Sequence, residues 1–138
     1  MIIYQEHVHR VTEASFENGF FDGWPNPPSI ATFIRILQNS THVILAVDDQ
    51  TGRVVGFINA LSDQILTAYI PLLEVVPSYQ GRGIGKELTQ RMLDKLKEIY
   101  MVDLLCDPDL QDFYANLGMR KAQGMLIRNY AHQSGKLE

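Results

Sequence analysis

Between Val76 and Glu87 the chain reads Val-Pro-Ser-Tyr-Gln-Gly-Arg-Gly-Ile-Gly-Lys-Glu, and its alternating glycines Gly81, Gly83 and Gly85 stand directly before a run with helical periodicity. Glycines so placed turn consecutive backbone N–H groups to one side, and a helix start adds unsatisfied donors and the positive end of its dipole. Such a concavity suits phosphate. Arg82 and Lys86 bring positive charge to the same spot, so a chain of formal net charge -4 can still hold a pyrophosphate there. Spacing excludes two common nucleotide loops. A mononucleotide P-loop ends in Gly-Lys-Ser/Thr, whereas Glu87 follows Lys86 with no magnesium-binding hydroxyl. The dinucleotide fingerprint lacks its downstream third glycine, and Asp103, near the distance of about 20 residues where its acidic partner belongs, opens a strand instead of ending one.

A second chemical signal is Glu74, the one carboxylate in the apolar stretch Ile70-Pro71-Leu72-Leu73-Glu74-Val75-Val76. An ionised carboxylate in such a strand is costly unless it faces a polar cleft or finds a partner, and a raised pKa suits a group that takes a proton from an ammonium. Asp103 is the second acid able to line the same region. Cys106, the only cysteine, has no histidine near it in sequence and reads as a packing residue. His7, His9, His42 and His132 lack metal-ligand spacing, so no metal is expected.

These residues need a scaffold. Thr12 to Gly19 reads as a short helix, and Phe20-Phe21-Asp22-Gly23-Trp24-Pro25-Asn26-Pro27-Pro28 as an aromatic loop. Ser29 caps a helix to about Asn39 with Ile30, Phe33, Ile34 and Leu37 on one face. Strands are expected at His42 to Asp48 and Arg53 to Leu61 around the Asp49-Gln50-Thr51-Gly52 turn, and at Leu66 to Val76, where Pro71 must interrupt the ladder. Gly83 to about Tyr100 is the long amphipathic helix; Met101 to Cys106 is a short strand; Asp107-Pro108 opens a helix ending at Gly118, with Asp107 as its cap; and Met119 to Tyr130 closes as a strand broken near Gly124. The pattern is α+β, or mixed α/β: one sheet covered by helices.

Gln80-Gly81-Arg82-Gly83-Ile84-Gly85 and, further on, Phe113-Tyr114-Ala115-Asn116-Leu117-Gly118-Met119 together resemble the GNAT superfamily of acetyl-CoA-dependent N-acetyltransferases, whose hallmarks are Gln/Arg-x-x-Gly-x-Gly/Ala and an aromatic-Tyr-x-x-Leu-Gly segment. The resemblance implies a mostly antiparallel mixed sheet whose fourth and fifth strands splay at a bulge. In that gap a pantetheine arm bonds backbone near Val75 and Val76. The backbone of Gly81 to Lys86, with Gln80 beside it, would hold the pyrophosphate. Tyr114 matches the tyrosine that protonates the coenzyme A sulfur. Asp107 stands where relatives often carry a pantetheine-binding asparagine. Relatives often place their base at positions matching Tyr69 and Pro71, neither of them acidic here; Glu74, as base or anchor of the substrate ammonium or else as a buried structural partner, and Asp103 are the candidate acids, with a water as the alternative base. Phe20, Phe21, Trp24 and Tyr69 are expected on the acceptor side, the alternative for the aromatic loop being an anchor to the core. The implied activity is acetylation of a primary amine; the alternatives are a protein or peptide N-acetyltransferase and a non-catalytic acyl-CoA sensor.

With 138 residues, 12 basic and 16 acidic, the chain is expected to form one domain over residues 1–131, alone or as a homodimer, followed by a polar tail at 132–138 whose Leu137-Glu138 reads as a cloning remnant. The charge has the wrong sign for a nucleic-acid grip. No apolar run approaches the ~20 residues of a membrane span, and the expected compartment is cytoplasmic.

Overall fold

The computed structural model describes residues 1–136; Leu137 and Glu138, with the cloning-remnant reading, lie outside the described residues. Six strands, β1 (Ile2–Gln5), β2 (His42–Asp48), β3 (Arg53–Ser62), β4 (Thr67–Tyr69), β5 (Leu73–Val75) and β6 (Met101–Asp103), form one sheet in the order β1-β2-β3-β4-β6, with β5 also on β3. All pairings are antiparallel except β4 with β6. Two helices, α1 (Ile30–Gln38) and α2 (Ile84–Lys95), cover opposite faces; α3 (Gln111–Ala115) is a single short piece.

Alternation along the strands sorts the core. Val43, Leu45 and Val47 of β2 pack with Phe33 and Leu37 of α1, whereas Ile44 and Ala46 pack with Ile84, Leu88 and Met92 of α2. Ser29 caps α1 as expected, its hydroxyl accepting the Thr32 N–H at 3.1 Å. The hairpin turn closes through the Gly52 N–H to the Asp48 carbonyl at 2.7 Å.

The strand expected over Leu66 to Val76 is two strands. β3 pairs Leu61 with Tyr69 and Ser62 with Ala68, then Ile58 with Leu73 and Gly56 with Val75, so the register slips by one residue across Ile70-Pro71-Leu72. That extra residue is a β-bulge at the proline, which has no N–H for the ladder. Buried Asn59 secures it: its carboxamide oxygen accepts the Leu72 N–H at 3.2 Å, its own N–H donates to the Leu72 carbonyl, and its NH2 reaches Ser40 Oγ at 3.0 Å.

Five other expectations change. Only Glu13–Ser15 forms a 3-10 turn in the first predicted helix, because Phe16 instead bridges to Val54 beside the sheet. The long helix stops at Lys95, and the strand after it covers only Met101–Asp103. Asp107 occupies the cap position before a 3-10 turn at Pro108–Leu110, but its backbone carbonyl, not its side chain, accepts the Leu110 N–H. Met119 to Tyr130 contains no strand: among the described residues no backbone N–H from Arg120 to Ala131 donates a hydrogen bond. Apolar composition favoured a strand there, but a strand needs a partner ladder, and this segment runs past Leu105 with Gly124 so close that a Cβ would stand 2.7 Å from Leu105 Cδ2.

Candidate active site

The glycine loop is built as its spacing demands. Gly81 and Gly83 have φ of 79° and 80°, left-handed backbone that glycine adopts without strain, and a Cβ on either would meet nothing within 4 Å. Gly83 occupies the N-cap of α2 and has no side chain to cap with, and the first intrahelical bond is the Glu87 N–H to the Gly83 carbonyl at 3.1 Å. The N–H groups of the first turn, at Ile84, Gly85 and Lys86, are therefore left to an anion. Ile84 contributes backbone only, since its side chain is buried beneath the sheet. Lys86 is exposed and has no ion-pair partner among the described residues.

The loop's other side chains face backward. Gln80 Nε2 donates to the Val75 carbonyl at 2.9 Å, so the glutamine amide ties the loop to the end of β5. Arg82 lies over the Tyr79 ring, its Cζ 4.6 Å from the centroid, and offers the anion only its backbone. Tyr79 in turn donates its hydroxyl to Asp48 Oδ2 at 2.5 Å, joining the loop to the β2–β3 turn. That bond holds the Asp48 carboxyl below its ordinary pKa and raises that of Tyr79. Sequence inspection missed this clamp, because nothing local connects the two residues.

From the loop, β5 leads into the gap. The Val76 N–H donates to the Val55 carbonyl and the Asn59 N–H to the Leu72 carbonyl, so in an antiparallel ladder Leu73 and Val75 turn their backbone groups away from β3. On that side β6 has left: the last bond across is from the Ile70 N–H to the Asp103 carbonyl at 3.0 Å. Beyond it the two chains diverge around a cleft of about 310 Å³ lined by Ile70 to Glu74 on one side and Leu104 to Asp107 on the other. The Val75 N–H and the Leu73 N–H and carbonyl thus face a gap in which an amide-bearing arm can add as a strand would. Val76 does not: it is buried, and its carbonyl accepts the Tyr79 N–H. Uncapped donors, glycines without obstruction and an unpaired strand edge fit a coenzyme A in this position.

Glu74 lines that cleft. Its Oε1 accepts the Phe21 N–H at 2.8 Å, while Oε2 is buried with no hydrogen-bond partner. Burial raises its pKa, and the bond from Phe21 opposes this in part. Phe21 is held at φ 59° and is buried against Phe33 and Phe57, and Phe20 packs edge-on or tilted against Phe16, Phe33 and Phe57. Phe20 and Phe21 therefore anchor the loop to the core, which corrects their expected place in the acceptor wall; only Trp24, packed on Phe21 at 5.0 Å between ring centroids, reaches the cleft.

Tyr114 lines the same cleft from α3, and burial, with the Cys106 thiol as a lesser influence, raises its pKa above that of a free phenol. Asp107 and Cys106 are also on the wall. The structure does not bring Asp103 or Tyr69 there: they pair with each other where β4 and β6 are still zipped, both exposed, before the strands part. In their stead Leu126 and Arg128 of the C-terminal segment complete the lining. No sequence signal marked them, because their position depends on how the irregular segment runs.

Residues 8–119 match the model of the Acetyltransferase (GNAT) family. A crystal structure of a protein from Deinococcus radiodurans R1, described as a candidate acetyltransferase, superposes with a TM-score of 0.93 at 46% identity over 99% of this chain and 94% of its own. The uncharacterized N-acetyltransferase ycf52 of Pyropia yezoensis is 33% identical over 103 residues, 72% of this chain, and the histone acetyltransferase TAP1 of Glycine max is 33% identical over 107 residues, 70% of this chain. The chain spans 59% and 46% of the length of these two relatives. With the glycine loop, the bulged strand and the open gap in one frame, and with the family model matched from Val8 to Met119, this chain belongs to the Acetyltransferase (GNAT) family.

Proposed function

We propose that this protein moves an acetyl group from acetyl-CoA to a small primary amine by direct attack, with Glu74 as the base and Tyr114 as the acid. The observation that carries the reading is the buried, unpartnered Glu74 Oε2 in the same cleft as Tyr114, at the end of a gap that leads back to the uncapped start of α2. Bound acetyl-CoA supplies an activated acetyl carbon and a thiolate leaving group. The N–H groups of Gly83 to Lys86 would hold its pyrophosphate, and the outward backbone of Leu73 and Val75 its amide-bearing arm.

The chain's own part is proton traffic. An aliphatic amine with a pKa near ~10.4 is almost wholly protonated at neutral pH, so the reaction needs a base or waits for the rare free amine. Glu74 Oε2 has no donor to satisfy it and accepts that proton. A raised pKa brings the carboxylate nearer the operating pH, where proton transfer is most effective. Tyr114, whose raised pKa keeps it protonated, holds a proton at Oη for the charge that develops on sulfur. Cys106 is not required, since direct transfer needs no acyl-enzyme.

A cleft of this size, bounded by Trp24 on one side and Leu126 and Arg128 on another, favours a small acceptor over a peptide. The likeness to a histone acetyltransferase supports the peptide reading. Thiol release from acetyl-CoA with a panel of amines and peptide amino termini decides: turnover confined to peptides would overturn the small-acceptor reading, and coenzyme A binding without release from any acceptor would leave the sensor.

A further inference from the structure

Arg128 is the one guanidinium that lines the cleft, and the chemistry above makes no use of it. Among the described residues it enters no ion pair and no hydrogen bond. Arg128 is solvent-exposed at the rim of the cleft. Leu126 and Arg128 line the cleft, and Leu126 at 58% is less exposed than Ile127 and Met125 on either side at 83% and 98%, the alternation of an extended chain.

The side of the sheet on which it lies follows from where the chain goes next. Gln133 Oε1 accepts the Asn26 N–H at 3.0 Å, and Gly135 lies against Thr32 of α1, so the chain that follows Arg128 docks on the α1 face. Phe21, which binds Glu74, and Trp24 belong to that face as well. The loop that would take the pyrophosphate starts α2, on the opposite face. Arg128 is therefore at the acceptor's end of the cleft and remote from the cofactor's phosphates. A guanidinium presents a planar fork of donors that carboxylates and phosphates match in two bonds.

We propose that the acceptor is an amine that also bears an anionic group, a carboxylate or a phosphate, with Arg128 gripping the anion while Glu74 faces the amine and Trp24 and Leu126 cover the apolar part between. This rests on the acetyl-transfer reading. It excludes simple alkylamines as preferred substrates and gives the irregular stretch 119–129 a recognition task.

The test pairs amines that differ only in the anion: phenylalanine against phenethylamine for the carboxylate, and ethanolamine phosphate against ethanolamine for the phosphate. Each is measured by thiol release and by calorimetric binding to the protein loaded with coenzyme A. A charge-assisted grip predicts a preference of about tenfold to hundredfold for the anionic member of one pair. That ratio collapses toward one in Arg128→Gln and survives in part in Arg128→Lys, with the melting temperature confirming that both variants fold. Equal handling of both members of both pairs by the native protein overturns the proposal, as does an Arg128→Gln variant that keeps the preference and instead loses affinity for acetyl-CoA. Release without any anion preference leaves acetyl transfer standing and removes the anion subsite. An Arg128-dependent binding preference with no release from any amine does the reverse.

Discussion

The two ends of the cleft are made in different ways. At the α2 end the groups free to meet a ligand are backbone: first-turn N–H groups, glycines at positive φ, and the outward edge of β5. At the α1 end the cleft is lined by side chains, Glu74, Trp24, Leu126 and Arg128, delivered by three segments distant in sequence. A backbone site depends on spacing and element boundaries, and it serves a ligand shared by a whole family. A side-chain site changes with each substitution and so can suit an acceptor particular to one protein. Substitutions at the first end should abolish cofactor binding, and those at the second should alter rate and choice while the cofactor still binds.

The largest effect is expected from Gly83→Val. A branched residue is strained at φ 80° and projects where the anion approaches, so coenzyme A affinity should fall by at least about a hundredfold, measured by calorimetry. The native protein at a coenzyme A concentration ~100 times Kd should gain about 2.7 kcal/mol of stability, and the variant almost none. Equal binding by the two would erase the distinction between the ends.

Glu74→Gln should lower kcat/KM by about 10²-fold or more near neutral pH, with coenzyme A binding retained and activity recovering toward alkaline pH as solvent deprotonates the amine. Asp103→Asn, outside the cleft, should show no such recovering profile. Stability gives the opposite sign. Because burial raises the folded-state pKa of Glu74, the native protein binds its proton more tightly than the unfolded chain, and stability is lost as pH rises from the unfolded value through the folded one. Glu74→Gln should thus melt at or above the native temperature at neutral pH and lose that advantage in acid. A variant with lowered melting temperature and a pH-independent loss of rate would make Glu74 only the tie to Phe21.

Tyr114→Phe should keep fold and cofactor affinity and reduce kcat by about 10²-fold, the low end for a general acid, since a thiolate also leaves unaided. Unchanged kcat and pH profile would leave the ring as packing. Smallest, Tyr79→Phe should weaken coenzyme A a few fold by freeing the loop from Asp48. It should also make the protein less sensitive to acid: the depressed Asp48 pKa contributes stability above the unfolded value that is lost as pH falls through the folded one, and the variant has less of it to lose. An acid-melting curve of the two proteins checks this.

The sequence disclosed the first end better than the second for the same physical reason. Gly81, Gly83 and Gly85 with the periodicity behind them specify a local geometry, and Pro71 within an apolar run specifies a break in a ladder; both stand in the structure where expected. Glu74 was visible as a charge among apolar neighbours. Asn59, a lone amide in the apolar strand β3, carries the same kind of signal, and it holds the bulge open. Phe20 and Phe21 show the limit: aromatic residues on a proline-rich loop suit a core anchor as well as a pocket wall, and only the packing against Phe33 and Phe57 separates the two. Residues 119 to 130 show another, since apolar alternation marks a strand only where a neighbouring strand supplies the hydrogen bonds.

A crystal structure of the protein with coenzyme A tests the division between the two ends most directly. The account predicts the pyrophosphate on the N–H groups of Gly83 to Lys86, the pantetheine amides paired with the backbone of Leu73 and Val75 in the gap opposite Leu104 to Cys106, and the thiol ending between Glu74 and Tyr114 with Arg128 beyond it on the acceptor side. A coenzyme A whose phosphates lie on Arg128, or whose arm avoids the gap at the bulge, would contradict it.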